Sequence, residues 1–296
     1  MRVLVTGING FLGRYTAEKL ADEGHKVIGL GSAENCVVPV DRYIRARLGQ
    51  CGSRISALCS EIGEADAVVH LAANLSMTFD DEHVIQDNVQ GMHDILRLAG
   101  LLNCHRFIYM SSMLVYSSPQ HEKIDEVHPL APPTLYHCTK LFGEQLLQVF
   151  LQSQTACQGI IFRLASPVGI GMRKNFLPIV LQKARRGEDI VLYGKGGRVQ
   201  SYIDVRDAAE AIAVSLSIDK DGIFNLGGSE SYSNLQVAEL CRDLCGNQSQ
   251  IKFEGTDPHE HECWGLDLHH LHNEFGFLPH YSLADTIQWM LESDDK

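Results

Sequence analysis

Met1-Arg2-Val3-Leu4-Val5-Thr6-Gly7-Ile8-Asn9-Gly10-Phe11-Leu12-Gly13 opens the chain, and its reading decides the fold. The apolar run over residues 2–6 predicts a strand. Three glycines follow at three-residue spacing, and a helical stretch is expected over 10–23. Glycines at such a turn let backbone N–H groups approach a pyrophosphate, and the helix start adds a partial positive charge. Gly7, Asn9, Gly10, Phe11, Leu12 and Gly13 are therefore the candidate dinucleotide cradle. Three glycines alone carry little weight; their place directly after the first strand gives them more.

Outward from this unit, β-type runs at 26–30, 43–47, 67–71, 106–111 and 159–164 alternate with helical stretches at 84–102 and 135–153. That alternation predicts an α/β fold, a doubly wound parallel sheet of Rossmann type. After residue 165 the rhythm changes. Short strands are expected at 190–193, 201–205 and 222–226, with helices at 207–216, 235–245 and 283–292. The expected division is a nucleotide-binding domain over 1–165, with 199–227 returning to it. The smaller, interleaved C-terminal substrate region is then 166–198 and 228–296.

The chain has 296 residues, 25 basic and 37 acidic, for a formal net charge of -12. Such a surface argues against nucleic acid or an anionic membrane as partner, though a local positive site suffices for a phosphorylated small molecule. No stretch approaches the roughly 20 apolar residues of a membrane span, and the start reads as a strand, not as an export signal. A cytoplasmic location and reduced cysteines are the expectation. Cys241 and Cys245, one helical turn apart, read as a buried helix face. The histidines of His259-Glu260-His261-Glu262-Cys263 and His269-His270-Leu271-His272 match no usual zinc spacing, so no metal site is expected.

Two features bear on the chemistry. A NAD site usually has a carboxylate ending the second strand to grip the ribose hydroxyls; here that place reads Leu30-Gly31-Ser32. Small residues leave room for a 2′-phosphate, with Ser32 a possible donor and Arg14, Arg42 and Arg45 possible partners after folding. The balance tilts towards NADP, with NAD the alternative. Tyr136-His137-Cys138-Thr139-Lys140 places a phenol and an amine four residues apart, on one helix face. Lysine there can hold a ribose hydroxyl and favour the phenolate, so that the phenol exchanges a proton while a nicotinamide exchanges a hydride. Ser111-Ser112-Met113-Leu114-Val115-Tyr116 follows an apolar strand and offers a hydroxyl at the carboxyl end of the sheet.

In this order these elements resemble the extended short-chain dehydrogenase/reductase family, the NAD-dependent epimerases and dehydratases. The resemblance also rests on His70-Leu71-Ala72-Ala73, Asn88 with Gly91, Lys140-Leu141-Phe142-Gly143-Glu144 and Asn175-Phe176-Leu177-Pro178. It continues through Tyr202-Ile203-Asp204-Val205-Arg206-Asp207, Phe224-Asn225-Leu226-Gly227 and Phe275-Gly276-Phe277. It implies Tyr136 as acid/base, Lys140 as its helper and Ser112 as the catalytic serine. Leu71, Ala72, Ala73, Asn88 and Ser111 would serve the cofactor. Asn74, Met113, Asn175, Arg198 and Gln200 would meet the substrate.

The reaction implied is 4-epimerisation or 4-ketoreduction of a nucleotide sugar. The Asp-Glu pair of the 4,6-dehydratases is replaced by Met113 and Leu114, which transfer no protons. Gln200 stands where an arginine for the diphosphate is common, and Ser166 where an asparagine is expected; Arg198, with Arg173 and Lys174 nearby, is the substitute. Those losses keep a second enzyme reading open, an oxidoreductase of a non-sugar carbonyl or alcohol. A third reading is a silent NAD(P)-binding regulatory protein, against which the intact Ser112, Tyr136 and Lys140 speak. The family also implies a homodimer through the helices 84–102 and 135–153, with Leu141, Phe142, Gln145 and Val149 on an outer face.

Overall fold

The computed structural model describes residues 1–119, 123–154, 156–172 and 175–293. Among these, seven parallel strands form one sheet in the order β3-β2-β1-β4-β5-β6-β10. They are β1 (Arg2–Thr6), β2 (Lys26–Gly31), β3 (Arg42–Arg45), β4 (Ala67–His70), β5 (Arg106–Ser112), β6 (Gln158–Leu164) and β10 (Gly222–Leu226). All four residues of β4 are buried, as a strand covered on both faces should be. The sequence order reverses between β1 and β4, the crevice where such sheets bind ligands.

Side chains alternate between two cores. Val3, Val5 and Ile8 share one with Ala17 and Leu20 of α1 (Phe11–Asp22) and with Ala208 and Ile212 of α7 (Val205–Ser215). Leu4, Val68 and Phe107 share the other with Leu58 of α2 (Ile55–Ile62), Ile95 of α4 (Gly91–Leu101) and Leu147 of α5 (Leu135–Ser153). The helix expected over 84–102 is three pieces: α3 (Glu82–Val84), a π-helical segment Ile85–Gln90, and α4. The extra residue per turn buries Asn88 in this segment.

The second lobe has its own core. Leu177 and Val180 of α6 (Phe176–Arg185) meet Ile190 and Leu192 of β8 (Ile190–Tyr193) there. Val237 and Cys241 of α8 (Asn234–Leu244) and Ile287 of α10 (Leu283–Ser293) complete it. β9 (Val199–Asp204) is the hub of a small sheet with β7 (Ser166–Val168), β11 (Ser231–Ser233) and β13 (Cys263–Trp264), while β12 (Ile251–Glu254) pairs with β8. The stretch 199–227 is thus divided: β9 lies in the small sheet, α7 packs on α1, and β10 edges the large sheet. Phe275 and Phe277, flanking the left-handed Gly276 that ends α9 (His269–Phe275), bury against the large sheet.

Two buried networks join the lobes. Asn225, fully buried on β10, accepts from the Tyr116 hydroxyl at 2.7 Å and donates to the carbonyls of Ile124 and Asp267. Asp204 caps α7 and accepts from Thr286 of α10 at 2.8 Å.

Candidate active site

The glycine turn is tight for a steric reason. Gly7 has φ +69°, and a Cβ there would lie 2.6 Å from the Ala72 nitrogen; one on Gly13 would overlap the Gly7 carbonyl. Gly10 caps α1 without a side-chain acceptor. The first amides of a twelve-residue helix are therefore left to an external anion. The backbones of Phe11 and Leu12 begin that helix, and Leu71, Ala72 and Ala73 leave β4 beside it, half-buried. Thr6 ties the two edges: its hydroxyl pairs with His70 Nδ1 at 2.7 Å and accepts from the Ala72 amide at 3.2 Å. These features fit a dinucleotide pyrophosphate.

Asn9 braces instead of reaching inward. Its side chain donates to the Asn35 carbonyl at 2.8 Å and accepts from the Val37 amide at 2.9 Å, pinning the loop after β2. In that loop Ser32 is exposed. The Tyr43 hydroxyl donates to the Ala33 carbonyl and lies 3.0 Å from where a Gly31 Cβ would be. Of the three arginines considered for this end, Arg45 is the cross-strand partner of Gly31. Arg42 pairs with Ile28, three residues back along β2, and the guanidinium of Arg14 packs at Gly171.

α5 starts as the sequence predicts, with Thr134 capping it through the His137 amide. Its inward face carries half-buried Tyr136 and buried Thr139, Lys140 and Glu144. Burial brings the Lys140 amine down to about 7 and pushes the Tyr136 phenol up to about 12. Desolvation dominates at Tyr136 and raises the phenol, against the favoured phenolate that the sequence led one to expect. The Ser112 hydroxyl accepts from the Leu114 amide at 3.2 Å, starting a 3₁₀ turn (Met113–Val115) that packs against α5.

Asn88 organises the rim. It accepts from the Asn74 amide at 2.7 Å, donates to the Asn74 carbonyl at 3.0 Å, and donates to Thr139 at 2.9 Å. Thr139 in turn donates to the Tyr136 carbonyl at 2.7 Å. Asn74, expected at the substrate, has its own amide group engaged with Asp87 and the Ser76 amide. Asp87 is gripped by both arms of Arg47 at 3.0 Å.

Two other expectations change. The Ser111 hydroxyl donates to Glu144 at 2.5 Å, inside a buried ion pair of Glu144 with Arg163 at 2.8 Å. Met113 is buried in the main core. Sequence reasoning passed over Glu144 and Arg163 because their pairing joins a helix to a strand 19 residues on.

In the second lobe Asn175 precedes α6 and donates to Ser166 at 3.2 Å, so these two sequence-flagged positions meet. Arg173 and Lys174 lie outside the described residues. Arg198 forms a 3.8 Å ion pair with Glu262, and its Nε and the Tyr202 hydroxyl are buried without a partner. Glu262 also accepts from Trp264, Ser118 and His259. The glycine-rich turn before Arg198 is held by Glu260, which accepts from the Lys195 amide at 2.6 Å. Gln200 lies mid-β9, between Tyr232 and Trp264. Cys241 is buried on α8, as a core-facing helix position.

Residues 3–227 match the model of the NAD dependent epimerase/dehydratase family. The chain is 25% identical to a dTDP-glucose 4,6-dehydratase of Actinoplanes sp., with 98% of this chain and 97% of the relative covered. It is 25% identical to UDP-glucose 4-epimerase 4 of Oryza sativa subsp. japonica, over 97% of this chain and 89% of the relative. Its fold is that of the Thermus thermophilus UDP-glucose 4-epimerase, solved in complex with NAD. The TM-score is 0.86 at 23% identity, covering 99% of this chain and 98% of the other. A glycine turn at the β1–β4 crevice, a Tyr136–Lys140 helix beside it and a family match over most of the length lead to one conclusion: the chain is an enzyme of the NAD dependent epimerase/dehydratase family.

Proposed function

We propose that this enzyme is a nucleotide-sugar 4-epimerase or 4-ketoreductase, with Tyr136 as acid/base. The observation that carries the reading is the burial of Lys140 one helical turn from Tyr136 on α5, which packs on β5 and β6. Burying a lysine is costly, and a surface with no ligand to hold gives no return for it. Tyr136 takes the proton from the substrate hydroxyl, or returns it to the ketone, and Ser112 hydrogen-bonds the same oxygen. Lys140 holds the ribose of the cofactor and stabilises the phenolate when it forms. A bound nicotinamide supplies hydride exchange at the carbon. Met113, in the core, and Leu114 offer no proton at neighbouring carbons, which argues against 4,6-dehydration although such enzymes are among the relatives.

The cofactor reading is NADP over NAD, supported by Gly31 and Ser32 at the ribose end and by Arg45 across from Gly31. Asn175, Arg198 and Gln200 are the proposed donors to the diphosphate. A non-sugar carbonyl substrate is the second reading, favoured by the Arg198–Glu262 pair, in which a carboxylate already faces the guanidinium. A cytoplasmic homodimer is part of the proposal; no helix among the described residues is long and apolar enough to cross a membrane. Thermal-shift screening with NAD, NADP and nucleotide sugars tests the proposal, because a ligand that binds only the folded state raises the melting temperature. A nucleotide sugar that stabilises the cofactor-loaded enzyme supports it. No response to any nucleotide sugar moves the substrate to the second reading.

A further inference from the structure

We propose that Tyr109 is a positioning residue whose ring face seats the Lys140 ammonium, with Gly143 and His70 fixing the ring in place. The inference rests on the role given above to Lys140.

The Lys140 Nζ lies 4.5 Å from the centroid of the Tyr109 ring, within the range of a cation–π contact. Tyr109 is buried on β5, and its hydroxyl donates to the Lys140 carbonyl at 3.3 Å, so both ends of the lysine meet one side chain. Gly143 makes this approach possible: a Cβ there would overlap the Tyr109 hydroxyl. On β4 the His70 ring stacks on Tyr109, with centroids 5.7 Å apart and planes at 16°. His70 is anchored to Thr6, which also takes the Ala72 amide. One continuous column therefore runs from the glycine crevice, through Thr6, His70 and Tyr109, to Lys140.

Glu144 favours the Lys140 charge through space, and the ring supplies the direct contact. Glu144, one turn along α5, is committed to Arg163 of β6 and to Ser111. Asp87 of the π-helical segment is gripped by Arg47. His70 and His137 are held neutral by burial, at about 3 and about 4, and add no repulsion. Tyr136 and Tyr109 are phenols raised by burial and uncharged. A desolvated ammonium with its nearest carboxylate occupied gains from the negative face of an aromatic ring.

The test replaces Tyr109 by Phe and by phenylalanines carrying one, two and three ring fluorines, which drain the face while nearly keeping its shape. NADPH binding is titrated by fluorescence across neutral to alkaline pH, alongside Tyr109→Leu and Lys140→Met. In the parent, binding weakens above about 7 as Lys140 loses its proton. Tyr109→Phe keeps that midpoint. Fluorination lowers it stepwise, by about one pH unit at three fluorines, and Tyr109→Leu lowers it most if it folds. The same midpoint across the fluorinated series, with melting temperatures unchanged, overturns the inference. If Lys140→Met binds NADPH as the parent does, the assignment of Lys140 itself fails. If it binds weakly while the series stays flat, only the role of Tyr109 fails.

Discussion

Lys140 is the residue at which function and stability conflict most directly. Its folded pKa, about 7, lies below the ordinary lysine value of 10.5. The unfolded chain therefore binds the extra proton between these values, and stability rises with pH across that window. Below about 7 the full cost of the buried charge is present. Lys140→Met should accordingly raise stability at pH 7 by on the order of 1 kcal/mol or more, with the gain shrinking towards about pH 10. Urea unfolding of both proteins at the two pH values checks this; an equal gain at both contradicts it. His70 acts with the same sign, lower on the pH scale. Its folded value of about 3, below the ordinary 6.5, means that stability is lost as pH falls through that interval. His70→Asn should flatten the acid limb of a melting-temperature profile, and an unchanged limb would contradict the assignment. That Tyr136 and Lys140 share a face of α5 was legible in the sequence because their spacing is local. The partners of Ser111 and Met113, Glu144 and the main core, were not legible because they come from distant segments.

At the scale of elements, α5 was legible to the residue, since Thr134 caps it and its apolar spacing is regular. The helix expected over 84–102 was not, because a π-helical segment leaves the residue types of a helix intact while shifting its faces. α2 and α6 were passed over; α6 begins after Asn175 with Pro178 in its first turn, a pattern that reads equally as a loop. The faces now assigned bear on the dimer. Phe142 and Val149 are 47% and 64% exposed on α5, with Gln145 exposed between them, while Leu141 is half-buried. Ile85 and Leu101 are exposed on the neighbouring segments. An apolar stripe of this kind on adjacent helices fits a symmetric partner. Phe142→Glu with Val149→Glu should convert a dimer into a monomer in sedimentation at micromolar concentration without unfolding it, since both side chains face outward. A parent that sediments as a monomer contradicts the dimer.

For the whole molecule, the doubly wound sheet followed from alternating strands and helices, and the crevice between β1 and β4 from the glycine turn. The second lobe was less legible. Its small sheet is assembled around β9 from four separated segments, three of them two or three residues long, too short for any period to show. Charge is the constraint at this scale: a chain of formal charge -12 must offset a diphosphate locally. Arg198→Ala should weaken nucleotide-sugar binding roughly ten- to a hundredfold while leaving the NADPH dissociation constant unchanged, because the crevice proposed for the cofactor lies at Gly7–Gly13. Calorimetry on both ligands checks it, and unchanged nucleotide-sugar affinity removes Arg198 from the site.

The proposed chemistry depends first on Tyr136 moving the proton. The most direct measurement compares parent and Tyr136→Phe for turnover of a stabilising nucleotide sugar, followed by NMR at C4, and for cofactor affinity by fluorescence. Tyr136→Phe should lose turnover by roughly a hundredfold or more, with NADPH affinity close to that of the parent, because the ring remains to pack. Equal turnover by the two proteins would contradict it.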